Sequence, residues 1–129
     1  MKYFHLIFLF LMLVFAALQW NDIDAPIWIS IYLVTALLAL ITYKQICLTC
    51  SVAWALVTTL LASYMLIGVA PGIVSFIETN TYSEIFFSMS NDKPYIEQTR
   101  EALGLLIILF YSVGILINTC IKKKYNSTE

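Results

Sequence analysis

The side chains able to do chemistry in this chain fall into two groups. The first is Asn21, Asp22 and Asp24 in "LQWNDIDAPIWI" (Leu18 to Ile29), together with Glu97, Arg100 and Glu101 in "ExxRExxGL" (Glu97 to Leu105). Carboxylates of this kind can bind a cation, pair with Arg100, or exchange protons with a lipid head group. Hard oxygen donors favour Ca²⁺ or Mg²⁺ over Zn²⁺. If Asp22, Asp24, Glu97 and Glu101 converge, their repulsion raises some of their pKa values unless Arg100 or a cation compensates. The structural alternative is an Asx-type turn over Asn21 to Asp24, with the later acids complementing a helix dipole. A clamp tying the two motifs together would satisfy both.

The second group is Cys47 and Cys50 in "CLTC", a C-x-x-C spacing. Thiol redox chemistry is the lesser expectation for this pair, because the remaining cysteine, Cys120, cannot complete a second pair. Without nearby histidines the pair is also too small for a zinc site, and apolar helix lining is the plainer role. His5 is the sole histidine, which argues against haem or a histidine-based metal centre. No Gly-rich phosphate loop, serine elbow or nucleotide fingerprint is present.

The elements that must position these residues are legible from hydropathy. The chain has 129 residues, 61% apolar and 12% charged, with a mean hydropathy of +0.87. A soluble fold of one domain cannot hide that much apolar surface, so a bilayer is its solvent. A hydrocarbon core of about 30 Å needs roughly 20 helical residues. Four runs qualify, at about 4–20, 26–43, 47–69 and 102–121, and none contains Asp, Glu, Lys or Arg. Pro26 suits the first turn of the second run, and Pro71-Gly72 is expected to stop the third. The first run could instead be a signal peptide after Lys2. It is long for that role and its basic start is weak, so a helix is expected. The fold class is therefore all-α, an integral membrane four-helix bundle in a single transmembrane domain, 1–129.

Lysine and arginine set the direction. With the N-terminus inside, Lys2, Lys44 and Lys122 to Lys124 lie inside, and Lys93 and Arg100 outside. The acids Asp22, Asp24, Glu78, Glu84, Asp92, Glu97 and Glu101 fall outside as well and only Glu129 inside, giving an outer side of −5 and an inner side of +4. Both termini are expected in the cytoplasm, with the tail at 122–129. The sequon Asn126-Ser127-Thr128 then faces away from glycosylation. Without a basic cluster beyond the tail, no nucleic acid is expected as a partner.

Short connections make the first three helices antiparallel neighbours. In the third, Ser51, Ala55, Thr59 and Ser63 form an i, i+4 stripe that predicts a close packing seam within the chain, with a homodimer seam as the alternative. Trp20, Trp28 and Tyr43 are expected as interfacial anchors, and Trp54 as a packing residue. The outer loop, 70–101, holds two short apolar pieces, "GIVSFI" (Gly72 to Ile77) and "SEIFFSMS" (Ser83 to Ser90). Both read as interfacial segments. Asn91 or Asp92 can cap a fourth helix that starts near Pro94, placing Glu97, Arg100 and Glu101 on one face.

With both polar motifs in view, the chain resembles the transmembrane-protein-220 family of small four-helix membrane proteins. That family shows a Q-[WYF]-N-D-x-D-x-x-x-W-I element after the first helix. Here Ile23 stands where a proline is common after the first Asp, and Ala25 then Pro26 follow Asp24, a one-residue displacement. The resemblance runs over nearly the full chain. It implies no activity, but it matches Asn21, Asp22, Asp24, Glu97, Arg100 and Glu101 to the recurring polar positions.

The expected function is a binding or accessory membrane protein. Its outer acidic site would take a lipid head group, a cation (divalent, at the acidic cluster) or a partner subunit. A small membrane enzyme using the outer carboxylates on a lipid-like substrate is the alternative, and a thiol oxidoreductase at Cys47 and Cys50 stands third. Membrane lipids are the expected partners, with a homodimer or another membrane protein possible. The expected location is the bacterial cell (inner) membrane.

Overall fold

The computed structural model describes residues 2–22, 24–79, 83 and 94–126. The chain forms α1 (Lys2–Leu18), a 3₁₀ turn (Gln19–Asn21), α2 (Ala25–Lys44), α3 (Leu48–Thr79) and α4 (Pro94–Asn126). Three helices, α2 to α4, are long and apolar enough to cross a membrane. The 17 residues of α1 lie at the lower edge of what can span, about 17–25 residues. This is an integral membrane helical bundle.

The helices pack as two hairpins, α1 with α2 and α3 with α4, and the hairpins meet through α2 and α3. The chain reverses between α2 and α3 at Gln45, whose φ of 51° is left-handed. That conformation closes the helix end, with the Gln45 N–H reaching Thr42 O and the Ile46 N–H reaching Ile41 O. The start of α1 and the end of α4 form one pole of the bundle, the terminal pole; Asp24 and the start of α4 form the other.

Each helix buries one stripe and presents the rest to lipid. On α1 the stripe is Phe8, Met12 and Ala16, while Ile7 and Phe10 stay exposed. On α3 the buried positions are Ser51, Ala55, Thr58 and Ala62. The expected stripe therefore holds for its first two members only. A strict four-residue step advances 400° and drifts about 40° per step from a 3.6-residue helix, so the true seam alternates steps of four and three. Thr59, beside the seam, still donates to Ser112 Oγ on α4 at 2.9 Å. Buried hydroxyls turn back on their own helix, as Thr35 does to Ile31 O and Thr58 to Trp54 O, both at 2.8 Å, since an unpaired hydroxyl in an apolar setting is costly. Trp54 packs as expected, donating to Val34 O at 3.0 Å.

Two expectations are corrected in α3. It does not stop before Pro71 but carries that proline inside the helix and runs on to Thr79. The piece Gly72 to Ile77 is therefore the continuation of α3 and not a separate interfacial segment. An interior proline costs a helix about 3 kcal/mol, so tertiary contact must offset it. Residues 72 and 76 are buried. A Cβ on Gly72 would overlap the Gln98 side chain, so glycine is what lets α4 lie this close. Thr99 donates to Tyr95 O at 2.7 Å and approaches Gly72 O at 3.4 Å. α4 begins at Pro94 as expected. The segment Ser83 to Ser90 lies outside the described residues except for Ser83, as do the proposed caps Asn91 and Asp92.

The tightest contact between the hairpins is at Gly104. A Cβ there would overlap the hydroxyl oxygen of Tyr32, whose ring is buried against α4 and meets Phe15 edge-on at 5.6 Å. Gly104→Ala is expected to lower stability by about 1–3 kcal/mol through overpacking. Adding Tyr32→Phe, which removes the clashing oxygen, should restore part of the loss in a double-mutant cycle followed by thermal unfolding in detergent.

Candidate functional site

The turn after α1 delivers the first acids. Asp22 N–H donates back to Gln19 O at 3.1 Å, and Ala25 N–H to Asp22 O at 3.2 Å. Asp24 occupies the N-cap position of α2, yet its side chain makes no capping bond. Its carboxylate instead accepts from the indole Nε1 of Trp28, one turn along, at 2.8 Å. The Asp24 carboxylate is thus engaged by Trp28 and lies beside the acids of α4, while the Asx-type turn expected over Asn21 to Asp24 involves atoms outside the described ones.

α4 supplies the other half. Glu97, Glu101 and Asp24 place one carboxylate oxygen each within 4.8 Å of one another. The predicted convergence of the two motifs is met for these three residues. Asp22 lies close enough to act on Glu97 and Glu101 electrostatically, and Arg100 acts on Asp22 and Glu97. The side chain of Asn21 lies outside the described atoms.

These acids precede Ala102, where the uncharged run of α4 begins, so they sit above the apolar span. Partial burial pushes Asp22 above the usual carboxylate range, Asp24 adds to it, and Arg100 opposes it. Glu97 is raised by burial first and then by Asp22 and Asp24, again against Arg100. Glu101 is displaced furthest, pushed up to about 7, by burial and then by Asp24, Glu97 and Asp22. The Trp28 N–H, within reach of Glu101, works the other way. One arginine does not neutralise the group, and near neutral pH Glu101 is poised between its two forms.

The sequence assigned Trp28 to the membrane interface, which is corrected here: it is 3% exposed and forms the floor of the acidic group. The D-x-x-x-W spacing of Asp24 and Trp28 was the available signal, since it puts both on one face of α2. Trp20, 79% exposed, has the geometry of an anchor. Gln19 also went unnoticed; its Oε1 is buried with no hydrogen-bond partner among the described residues.

The cysteines have a local explanation. Cys50 N–H donates to Cys47 Sγ at 3.2 Å, and Ser51 N–H to Cys47 O at 3.0 Å. Cys47 therefore caps the start of α3 as a serine would, through the backbone N–H of position 50, a role that involves the Cys47 thiol and not the Cys50 thiol. Both thiols, and that of Cys120, are free. At the same pole His5 Nδ1 and the Tyr111 hydroxyl share a hydrogen bond of 2.8 Å.

The family model described as "Transmembrane family 220, helix" matches residues 10–117. The chain belongs to that family. The matched stretch holds both polar motifs, from Asn21 to Glu101, and the Gly104 contact with Tyr32. For this member of transmembrane family 220, no curated protein and no solved structure gives a match.

The raised acids fix the sign of a pH dependence. A carboxyl whose folded pKa exceeds its unfolded value stabilises the fold while protonated, and that contribution is lost as pH rises through the folded value. Glu101 therefore makes the protein less stable at pH 8 than at pH 5.5, in chelator-treated buffer. Glu101→Gln should flatten this slope and raise the melting temperature at pH 8. A steeper fall in the variant would contradict the assignment.

Proposed function

We propose that this protein is a membrane binding protein whose acidic group at the α2–α4 pole takes a divalent cation, with Ca²⁺ the best fit. One observation carries this: carboxylate oxygens from two helices lie within 4.8 Å of one another. Ca²⁺ holds its oxygens at about 2.3–2.6 Å, so two ligands of one ion lie at most about 5 Å apart. Asp24, Glu97 and Glu101 meet that limit as they stand. Mg²⁺, at about 2.0–2.1 Å, would need the helices to close further. A bound cation would also remove the repulsion that raises Glu97 and Glu101. The same charge would suit the amine of a lipid head group, and the test separates the two.

Ca²⁺ at 100 times its dissociation constant is expected to stabilise the detergent-purified protein by about 2.7 kcal/mol, with Mg²⁺ weaker. Glu101→Gln and Asp24→Asn should each abolish the shift while the variants still melt cooperatively. A melting curve unmoved by millimolar Ca²⁺ but shifted by phosphatidylethanolamine would assign the site to a head group instead. No response to either overturns the proposal.

A second reading, a small membrane enzyme, rests on Glu101, since a carboxyl pushed up to about 7 suits proton transfer near neutral pH. It requires a turnover whose pH profile follows that residue and vanishes in Glu101→Gln.

For orientation, the lysines at the terminal pole support a cytoplasmic placement of both ends in a bacterial inner membrane. In a cysteine-free background, an impermeant maleimide added to intact cells should label Ser83→Cys and leave Cys120, restored alone, unlabelled until the cells are permeabilised.

A further inference from the structure

A cavity of about 820 Å³ opens at the terminal pole, bounded by the ends of all four helices. It is remote from the acidic group and independent of any cation there. Phe8, Ile107 and Ile115 give it an apolar lining, the exposed Phe110 stands at its outer rim, and Lys2 lies at its mouth. Along α4 it reaches from Ile107 to Thr119, about 18 Å at 1.5 Å per residue. Half of a bilayer's hydrocarbon core is about 15 Å. The depth thus equals one leaflet's acyl chain plus the start of a head group.

The walls are fixed by packing. Phe8 stacks on Tyr111 with ring centroids 3.7 Å apart, and His5 holds the Tyr111 hydroxyl. Lys2 sits with its ammonium 5.3 Å from the centre of the Tyr43 ring, which is cation–π distance. A second recess at this mouth adds Lys44. The described residues lining the two spaces include lysines and no carboxylate, so the charge they bring to the mouth is positive. Gly114 lines the cavity, and a Cβ built on it meets nothing within 4 Å. The helix wall there is open where a side chain would fill it.

We propose that this cavity holds a single-chain anionic lipid, its chain between α1 and α4 and its head group beside Lys2 and Lys44. A space of this volume encloses one drug-sized molecule, which fits one chain and not two. The apolar lining selects the chain, and the lysines, with no acid among the described lining residues, select the negative head.

The experiment uses the full chain in mild detergent, with native mass spectrometry reading adducts of 1-oleoyl-lysophosphatidate and 1-oleoyl-lysophosphatidylcholine. The anionic lipid should be retained about fivefold better, as one exposed charge pair gives. Gly114→Leu, whose side chain enters open space, should lower both adducts by about tenfold without lowering the melting temperature. Lys2→Glu, at an exposed position that leaves the core untouched, should remove or reverse the preference for the anion. Equal retention of the two lipids by the unmodified protein, or unchanged adducts in Gly114→Leu, overturns the proposal. Displacement of the lysophosphatidate by millimolar inorganic phosphate overturns it as well, because the site would then read phosphate and not lipid. If Gly114→Leu fails to fold, the Lys2→Glu arm decides.

Discussion

The rest of the structure depends on the reach of the Tyr32 side chain from α2 to the surface of α4 at Gly104. Asp24, Trp28 and Tyr32 follow one another at four-residue steps along α2, and Glu97, Glu101 and Gly104 do much the same along α4. The two stripes face each other because position 104 has no side chain, which leaves room for the Tyr32 ring. With the helices set at that distance, the turns above Tyr32 and Gly104 must also meet, and those turns carry the acids. Apolar packing within the membrane thus brings like charges together above it, something that electrostatics alone would oppose.

The acidic group has its own balance. With Asp24, Glu97 and Glu101 within 4.8 Å of one another at a partly buried position, the charged forms of Glu97 and Glu101 are raised in energy. Three terms offset this. The Trp28 N–H serves Asp24 directly, Arg100 lowers the cost at Asp22 and Glu97, and Glu101 can hold a proton near neutral pH. A group needing a proton to be comfortable can exchange that proton for another cation. The floor beneath it is rigid, since a buried indole cannot rearrange without disturbing the core around Leu105 and Ile108, both fully buried.

Much of this was legible in the sequence, for definite reasons. Uncharged runs of about twenty residues read as membrane helices, and an even number of crossings between Asp24 and Glu97 returns the two acidic motifs to the same side of the bundle. Pro71 misled because a proline's local cost is visible in sequence whereas the contact of Gly72 with Gln98, 26 residues along the chain, is not. Trp28 misled for a related reason. A tryptophan at a span border fits an interfacial anchor equally well, and only the helix rotation, set by Tyr32, turns it inward. The cavity at the terminal pole had no signal at all, because an empty space is defined by what four separate helices fail to fill. The C-x-x-C pair shows the converse, since the thiol of its first member serves to cap α3.

One consequence follows from the brevity of α1. Its 17 residues measure about 26 Å at 1.5 Å each, some 4 Å less than an average hydrocarbon core of about 30 Å. Its three companions are all longer. The bilayer can thin beside α1, or the 3₁₀ turn that continues it can carry the span the remaining distance to water. Such hydrophobic mismatch costs fractions of a kcal/mol per Å. The penalty is least where the membrane is already thin, which gives the protein a thickness preference that a uniform bundle of its longer helices would not have.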